Sequence, residues 1–253
     1  MRHSKEKKVA PPVSQEDILT VLEFGCVDTC DLVSTGSNYT FHVALSLDGG
    51  RQISAIYKPR QGEAPLYDFL PGTLYHREYA AYLVSQALGW DFVPPTVIRD
   101  GPHGIGVIQH YIDHEPGINY FNLRESHPDE LFRMAVFDCL VCNADRKGGH
   151  CIKGRDGKIW SIDHGLTFHH GRKMRTVMWD FCDHTIPGEL TRDLQRLLEG
   201  FSRGNDLVER LAGVLSRREV DALRQRLELI INSSVIPMRE LADPWRSVPW
   251  PLV

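Results

Sequence analysis

The chain has 253 residues, of which 42% are hydrophobic and 25% are charged, and its formal net charge is −4. This composition is typical of a globular protein that buries its core in one large domain or one two-lobed domain. A net negative charge argues against a strongly basic nucleic-acid-binding surface. No apolar run is long enough to span a membrane, so we expect a cytoplasmic protein without stable membrane insertion.

Near the N-terminus the sequence changes from a polar arm to a helical pattern. Residues 1–13 are basic, contain two prolines and lack the apolar core of a secretory signal, which predicts a disordered arm. Gln15–Phe24 has apolar residues at helical spacing, with acidic residues in its first turn and Ser14 as a plausible N-cap. This pattern predicts a short helix.

The next segments are typical of antiparallel strands. Asp31–Leu47 is predicted to form two strands on either side of the loop Ser34–Asn38, because apolar and polar residues alternate in its second half. A glycine-containing turn then leads to a predicted strand at Gln52–Lys58. Pro59 ends this strand, since proline cannot donate to a strand ladder.

The loop between the first two strands is a candidate phosphate-binding loop. Gly36 would allow close approach of the backbone, while Ser37 and Asn38 supply hydrogen-bond donors. Taken alone, the same residues are equally typical of an ordinary hairpin loop. Likewise, Lys58 at a strand end is by itself typical of a solvated surface group.

A helix and two more strands follow. Tyr75–Leu88 has the apolar spacing of an amphipathic helix that ends at Gly89. Glu78 lies in the first turn, where an acid interacts favourably with the helix dipole. Val93–Ile98 and Gly106–Ile112 are predicted strands separated by a turn rich in glycine and proline.

The centre of the chain places two aspartates at the ends of predicted elements. An apolar helical run ends in the polar segment NADRKGGH, which contains Asp145. A short predicted hairpin then delivers the segment DHGLTF, which begins with Asp163. Carboxylates held in this way, one to orient a hydroxyl and one to hold a divalent cation, are what phosphoryl transfer requires.

These motifs resemble the catalytic core of the phosphatidylinositol 3/4-kinase-like superfamily, which includes type II phosphatidylinositol 4-kinases and HipA-like kinases. NADRKGGH is similar to the family pattern N-x-D-R-x-x-x-N, and DHGLTF is similar to D-x-G. The segments IYKP, HREY and VP extend the resemblance upstream, so that it covers residues 32–181. Each motif alone is weak, whereas five in this order are fairly specific.

The resemblance implies an α+β, two-lobed protein-kinase-like fold. Residues 14–112 would form an N-terminal lobe with a five-stranded antiparallel sheet and one helix, and residues 113–253 a mainly helical C-terminal lobe. ATP would bind between the lobes, with Lys58 on its phosphates, Glu78 orienting Lys58, and backbone groups near the interlobe hinge at the adenine edge. The nucleotide-binding residues that the resemblance implies are Gly36, Ser37, Asn38, Lys58, Glu78, His110, Tyr111 and Ile112.

The resemblance also implies catalytic and metal-binding roles. Asp145, with its neighbour Arg146, would be catalytic and would orient or deprotonate the acceptor hydroxyl. Asp163 would hold Mg²⁺ or Mn²⁺. The family usually has asparagine where this chain has His150. As a ligand, its softer nitrogen would favour Mn²⁺ over Mg²⁺; alternatively, His150 points aside and a water completes the metal shell.

The function predicted from these residues is an ATP-dependent kinase whose acceptor is a hydroxyl of an unidentified protein or small molecule. The sequence shows no membrane anchor or large basic face, which makes a phosphoinositide a less favoured acceptor. Two alternatives remain open: a lipid kinase, and a nucleotide-binding pseudokinase that acts as a regulatory module. The departure at His150 is the main argument for the pseudokinase.

Four further patterns concern the C-terminal part. Residues 145–175 contain eight Lys or Arg against three Asp, which suits either bound phosphate or solvated loops. Cys139 and Cys142 lie in an apolar helical run and are predicted to be core thiols rather than zinc ligands. Trp245 and Trp250, each beside a proline, predict an extended tail that packs back on the body. Helices are predicted at Leu190–Leu198, Asp206–Leu215 and Arg218–Ile231.

Overall fold

The structure is a computed structural model that describes residues 14–33, 37–47, 51–203 and 205–253. The predicted arm, residues 1–13, lies outside the described residues. The strands are β1 (Cys26–Val33), β2 (Thr40–Leu47), β3 (Arg51–Pro59), β4 (Thr96–Gly101), β5 (Gly104–His110), β6 (Cys151–Lys153) and β7 (Ile159–Ser161). The α-helices are α1 (Gln15–Phe24), α2 (Leu74–Leu88), α3 (Tyr120–Leu123), α4 (Pro128–Val141), α5 (Gly188–Arg203), α6 (Asp206–Ala212), α7 (Arg217–Ser233) and α8 (Met238–Leu241).

The N-terminal half is built on an antiparallel sheet with the strand order β1-β2-β3-β5-β4. Apolar residues on the central strands, including Val43 and Ile108, form a core with Leu22 of α1. Ser14 caps α1 as predicted, because its side chain accepts the N–H of Asp17. The predicted α+β class with a five-stranded antiparallel sheet and a helical part is confirmed.

Helix α2 lies between the sheet and the C-terminal helices. It ends as predicted at Gly89, which has a φ of 69° and whose N–H bonds to carbonyls of the last turn. The predicted one-sided burial is wrong, since eleven of its fifteen residues are buried. The helix contacts β4 and β5 as well as α5 and α6, so both of its faces are covered.

The C-terminal part is mainly helical and contains the larger core. Helix α4 contributes nine buried residues and lies against α7, while α5, α6 and α7 pack on one another. Cys139 and Cys142 are free and fully buried there, as expected for core thiols. The hairpin β6–β7 lies between α4 and these helices in the sequence and leads to Asp163. Within the described ranges no helix is long and apolar enough to span a membrane.

Several predictions about local structure need correction. Strand β1 begins at Cys26 rather than at Asp31, and β5 ends at His110 rather than at Ile112. Strand β4 begins at Thr96 rather than at Val93, since the intervening prolines have no N–H to donate. Strands β4 and β5 also extend further toward their turn, where Gly101 pairs with Gly104. The tail does pack back, but through its backbone: the side chains of Trp245 and Trp250 are 95% and 76% exposed.

Gly106 sets how closely β3 and β5 approach each other. It lies opposite Pro59 in the sheet, next to the pair formed by Lys58 and Val107. A Cβ atom at this position would lie 2.5 Å from the carbonyl oxygen of Lys58 and 2.6 Å from Cα of Pro59. Because both neighbours are backbone atoms, a side chain here would displace the strand that carries Lys58.

We predict that Gly106→Ala lowers the free energy of unfolding by about 1–3 kcal/mol, because the added methyl group overpacks two strands. Urea unfolding monitored by circular dichroism measures this. The control is Gly188→Ala at the start of α5, where the nearest atom to an added Cβ is the flexible Arg192 guanidinium at 3.9 Å. The control should change stability by no more than about 1 kcal/mol. Equal effects of the two substitutions would contradict the predicted clash.

Candidate active site

The side-chain amine of Lys58 contacts two carboxylates from distant parts of the chain. Its Nζ atom bonds to Oε1 of Glu78 on α2 and lies 3.1 Å from Oδ1 of Asp163, which follows β7. Burial lowers the pKa of Lys58, but the carboxylates of Asp163 and Glu78 outweigh this effect and the pKa is raised overall. Lys58 is therefore a protonated link between the sheet, α2 and the loop after β7.

Glu78 has a second partner in the segment that follows Asp163, and both carboxylates have shifted pKa values. Oε2 of Glu78 accepts the backbone N–H of His164 at 2.8 Å, so Glu78 spans from Lys58 to the DHG segment. Burial raises the pKa of Glu78, and the ion pair with Lys58 opposes that shift. The Lys58 ammonium holds the pKa of Asp163 well below its usual range. Asp163 has a φ of 60°, an uncommon backbone conformation that clusters at functional sites.

Two cavities meet at Lys58 and Asp163, and together we call them the cleft. The first has a volume of 190 Å³ and the second a volume of 260 Å³. Among the residues that line the first are Ser37, Asn38, Lys58, Glu78, Asp145, Lys147 and Asp163. The second is lined in part by Lys58, His110, Tyr111, Ile112 and Asp163. The cleft thus brings together most of the residues that the sequence singled out.

The predicted phosphate loop and hinge both border this cleft. Oδ1 of Asn38 accepts the N–H of Ala64 at 2.7 Å, which ties the loop to the segment after β3; Gly36 lies outside the described residues. At the hinge, the N–H groups of His110 and Tyr111 donate to backbone carbonyls of the protein. Within the described residues, no backbone acceptor is found for the N–H of Ile112.

Asp145 lies at the first cavity with a lysine beside it. Its Oδ2 atom is 3.2 Å from Nζ of Lys147, and its backbone N–H donates to Oδ1 of Asn143 at 3.0 Å. Burial raises the pKa of Asp145, although Lys147 opposes the shift. Lys147 was not among the predicted site residues. Its position within the segment NADRKGGH, two residues after Asp145, was the available signal.

The side chain of His150 contacts Asp163, although His150 does not line either cavity of the cleft. Its Nε2 atom lies 3.3 Å from Oδ2 of Asp163. Burial lowers the pKa of His150 to about 4, so the imidazole is neutral at neutral pH. Its Nδ1 atom accepts the backbone N–H of Lys147 at 3.5 Å. Among the described residues there is no cluster of three or more side chains suited to a metal. His150 and Asp163 therefore supply two protein ligands at most, which leaves other positions to phosphate and water.

The side chain of Arg146 is buried, whereas a catalytic side chain has to be accessible to the bound reactants. Its side chain is fully buried and forms a two-point ion pair with Asp138, with distances of 2.7 and 2.9 Å. The remaining donors bond to the carbonyls of His150 and Ile162, to Oγ of Ser161 and to Nε2 of His164. Since no part of it is exposed, Arg146 supports the loop around Asp145 from behind and does not reach a bound reactant.

Asp138 was missed in the sequence, although it left a signal. It is an ionisable residue within the apolar helical run of α4, and it is fully buried. A buried carboxylate needs a charged or hydrogen-bonding partner, and Arg146 and Asn143 supply them. An aspartate inside an apolar helix thus pointed to a buried partner nearby.

Most of the basic side chains in residues 145–175 form ion pairs with acidic residues in the folded protein. Besides Arg146, four of these residues pair with acids outside their own segment: Lys153 with Glu115, Arg155 with Asp113, and Lys173 and Arg175 with Asp68 and Asp243. The predicted excess of charge for phosphate is therefore much smaller in the structure. Lys58 and Lys147 are the basic side chains that line the first cavity.

The fold is similar to that of a solved kinase. The crystal structure of the Golgi casein kinase with Mn/ADP bound superimposes with a TM-score of 0.55 at 16% identity, covering 87% of this chain and 75% of that chain. The chain therefore has an atypical kinase-like fold. In sequence, it is 36% identical over 272 residues to Protein Rv2133c of Mycobacterium tuberculosis (strain ATCC 25618 / H37Rv), covering 94% of this chain and 96% of that protein. It belongs to the same family as Protein Rv2133c.

A more distant similarity relates the chain to a plant lipid kinase. It is 26% identical over 122 residues to Phosphatidylinositol 4-kinase gamma 4 of Oryza sativa subsp. japonica. The match covers 41% of this chain and 22% of that kinase. No profile of a known protein family matches the chain. The sequence resemblance is thus supported at the level of kinase-like proteins.

We predict that Arg146→Met lowers the free energy of unfolding by about 3–5 kcal/mol, because it leaves the buried carboxylate of Asp138 without its charge partner. Urea unfolding measures this. The control, Arg217→Met, breaks an ion pair with Asp221 whose side chains are 96% and 62% exposed. It should cost about 1 kcal/mol or less. A stable Arg146→Met variant that had lost turnover would instead favour the catalytic role predicted from the sequence.

Proposed function

We propose that the chain is an ATP-dependent kinase that transfers the γ-phosphoryl group to a hydroxyl of a protein or small-molecule acceptor. The observation that carries this proposal is the contact of Lys58 with both Glu78 and Asp163 in a cleft that also contains Asp145. A fixed cation beside ionised carboxylates suits a reaction in which positioning and charge stabilisation supply most of the catalysis. The kinase-like fold is consistent with this assignment.

In this proposal, residues 14–112 and 113–253 are the two lobes and ATP binds between them. The adenine would occupy the cavity of 260 Å³, where the N–H of Ile112 is a candidate donor to its edge. The phosphates would lie at Lys58, with Ser37 and Asn38 close by in the adjoining cavity. Glu78 keeps the amine of Lys58 in place, because it binds that amine and the backbone after Asp163 at the same time.

Asp163 and His150 are the residues that would hold a divalent cation. One carboxylate oxygen and one neutral imidazole nitrogen, 3.3 Å apart, fit Mn²⁺ or Mg²⁺ as a partial ligand set. When bound, the cation would neutralise charge on the transferring phosphoryl group. Mn/ADP in the Golgi casein kinase supports a divalent cation with nucleotide here.

Asp145 would orient the acceptor hydroxyl and accept its proton. Burial raises the pKa of this carboxyl, which makes the carboxylate a better proton acceptor. Lys147 lies 3.2 Å from the same carboxylate and would keep it ionised in the resting cleft. The proton of the acceptor hydroxyl would therefore move to a carboxylate oxygen of Asp145.

A second candidate, a nucleotide-binding pseudokinase, has one observation in its favour. Both carboxylate oxygens of Asp163 already have partners, since Oδ1 faces Lys58 and Oδ2 faces His150. A cation would have to compete with these two groups. The kinase proposal is favoured because Asp145 remains at the cleft and has no role in nucleotide binding alone.

Nucleotide binding and turnover together test the proposal. With ligand at about a hundredfold excess over its dissociation constant, stability rises by about 2.7 kcal/mol. For a chain of this size the unfolding midpoint then rises by about 5–10 °C. We expect this shift with ATP plus Mg²⁺ or Mn²⁺, together with transfer of labelled γ-phosphate to water or to the chain itself. No shift with any nucleotide and metal would overturn both candidates, and a shift without γ-phosphate transfer would favour the pseudokinase.

We predict that Asp163→Asn and Asp145→Asn separate binding from chemistry. Asp163→Asn should abolish the metal-dependent part of the thermal shift, because the cation loses its main anionic ligand. Asp145→Asn should keep the shift and reduce turnover at least about 100-fold, as expected for loss of a positioned base. The control is Asp221→Asn at an exposed position of α7, which should change neither. Loss of nucleotide binding in Asp145→Asn would contradict this division of roles.

We predict that His150→Asn moves the metal preference of turnover from Mn²⁺ towards Mg²⁺, because an amide oxygen is a harder ligand than an imidazole nitrogen. Turnover of wild type, His150→Asn and His150→Ala would be measured with each metal at saturating ATP. If the ratio of the Mn²⁺ and Mg²⁺ rates is the same in all three proteins, His150 is not a ligand.

A further inference from the structure

The backbone of Arg175 forms hydrogen bonds with residues on both sides of Asp145. The N–H of Arg175 donates to the carbonyl of Asn143 at 3.0 Å, and its carbonyl accepts the N–H of Arg146 at 3.0 Å. These two bonds lie on either side of Asp145 in the sequence. The segment around Arg175 therefore controls where the backbone of Asp145 lies.

The side chain of Arg175 is fixed at its far end by Asp243, which is almost a hundred positions from Asp145 in the sequence. Oδ2 of Asp243 accepts Nε of Arg175 at 3.2 Å and Nη2 at 2.9 Å. The side chains are 14% and 6% exposed. Oδ1 of Asp243 accepts the N–H groups of Trp245 and Arg246 at 3.0 and 3.3 Å, so this carboxylate is itself held by the tail.

A second carboxylate reaches Arg175 from the N-terminal part of the chain. Oδ2 of Asp68, in the segment between β3 and α2, lies 3.4 Å from Nη2 of Arg175. Lys173 completes the cluster, with Nζ 3.2 Å from Asp68 and 3.8 Å from Asp243. The next residue, Phe69, is buried in a small apolar cluster with Leu74 and Ala144, which anchors the same segment to the catalytic loop.

The cluster of Asp68, Lys173, Arg175 and Asp243 is better suited to fixing geometry than to supplying stability. Its two positive and two negative charges balance, and they are mostly buried. The desolvation of buried charges offsets most of their attraction, so such clusters are weak contributors to net stability. Two guanidinium donors that converge on one carboxylate oxygen, as Nε and Nη2 of Arg175 do on Oδ2 of Asp243, restrict orientation more closely than a single contact does.

We propose that Arg175 is a positioning residue for Asp145, held in place by Asp243 from the tail and by Asp68 from the N-terminal part. The inference rests on the proposed role of Asp145, because its consequence is a catalytic loop in the right place for the acceptor hydroxyl. Asp243 makes the larger contribution, since its Oδ2 atom accepts two donors of Arg175 and both distances are shorter than the one to Asp68.

Kinetic constants of Asp243→Asn test this inference. The substitution keeps the shape of the side chain and an oxygen acceptor but removes the charge that holds Arg175. We expect the rate constant of γ-phosphate transfer from ATP to water or to the chain to fall about 10- to 100-fold, because small misplacement of a catalytic group has effects of this size. The KM for ATP and the ATP-dependent thermal shift should stay within about twofold, since no nucleotide contact changes.

Two further variants make the comparison specific. Arg175→Lys keeps the positive charge but has no two-point contact with Asp243, so its loss of rate should be similar to that of Asp243→Asn. Asp68→Asn should give a smaller loss, because its contact with Arg175 is the longest. The control, Asp221→Asn at an exposed position of α7, makes the same chemical change away from the loop and should leave the rate unchanged.

Hydrogen exchange of the loop amides gives a readout that does not depend on turnover. The N–H of Arg146 should exchange faster in Asp243→Asn than in wild type and Asp221→Asn, because its acceptor is the carbonyl of Arg175. Unchanged exchange and unchanged rate in Asp243→Asn would overturn the inference, as would a rise in the KM for ATP that accounts for the whole loss. Absence of turnover in wild type overturns the proposed function instead, and faster exchange in Asp243→Asn then still supports the positioning contact.

Discussion

The candidate site depends on one partly buried ammonium group with two carboxylate partners. Lys58 is carried by a central strand, Glu78 by a helix and Asp163 by a loop more than a hundred positions further along the chain. The buried carboxylate of Glu78 would be costly without Lys58, and Lys58 in turn is held between Glu78 and Asp163. The three groups therefore require that sheet, helix and loop take up one relative arrangement, and most of the packing around them serves that requirement.

Local patterns were sufficient to locate helix α1 and the end of helix α2. The apolar period and the cap at Ser14 locate α1, and Gly89 locates the end of α2. These signals work because they arise from a few neighbouring residues. Local pattern could not predict that Lys58, Glu78 and Asp163 lie close together. That prediction came from the resemblance to a kinase family and not from the spacing of the residues.

What could not be predicted depends on contacts between distant segments. Arg146 lies in the most informative motif of the chain, yet its side chain is buried in an ion pair with Asp138 on α4. The sequence alone does not show that these two residues are partners. The basic excess around Arg146 is mostly neutralised by acids elsewhere in the chain, and a count along the sequence cannot include them. Asp243 is the clearest case, because nothing in its surroundings in the sequence suggests a link to the loop around Asp145.

The burial of α2 on both faces restricts how the cleft can widen. Arg77 on this helix is bonded to Glu219 of α7 and, at 2.6 Å, to the carbonyl of Thr167, while the helix as a whole packs on α5 and α6. A rotation of residues 14–112 as one unit would have to pull α2 out of these contacts. Strands β1 and β2 make none of them, so a displacement of these two strands leaves α2 in place as part of the helical body.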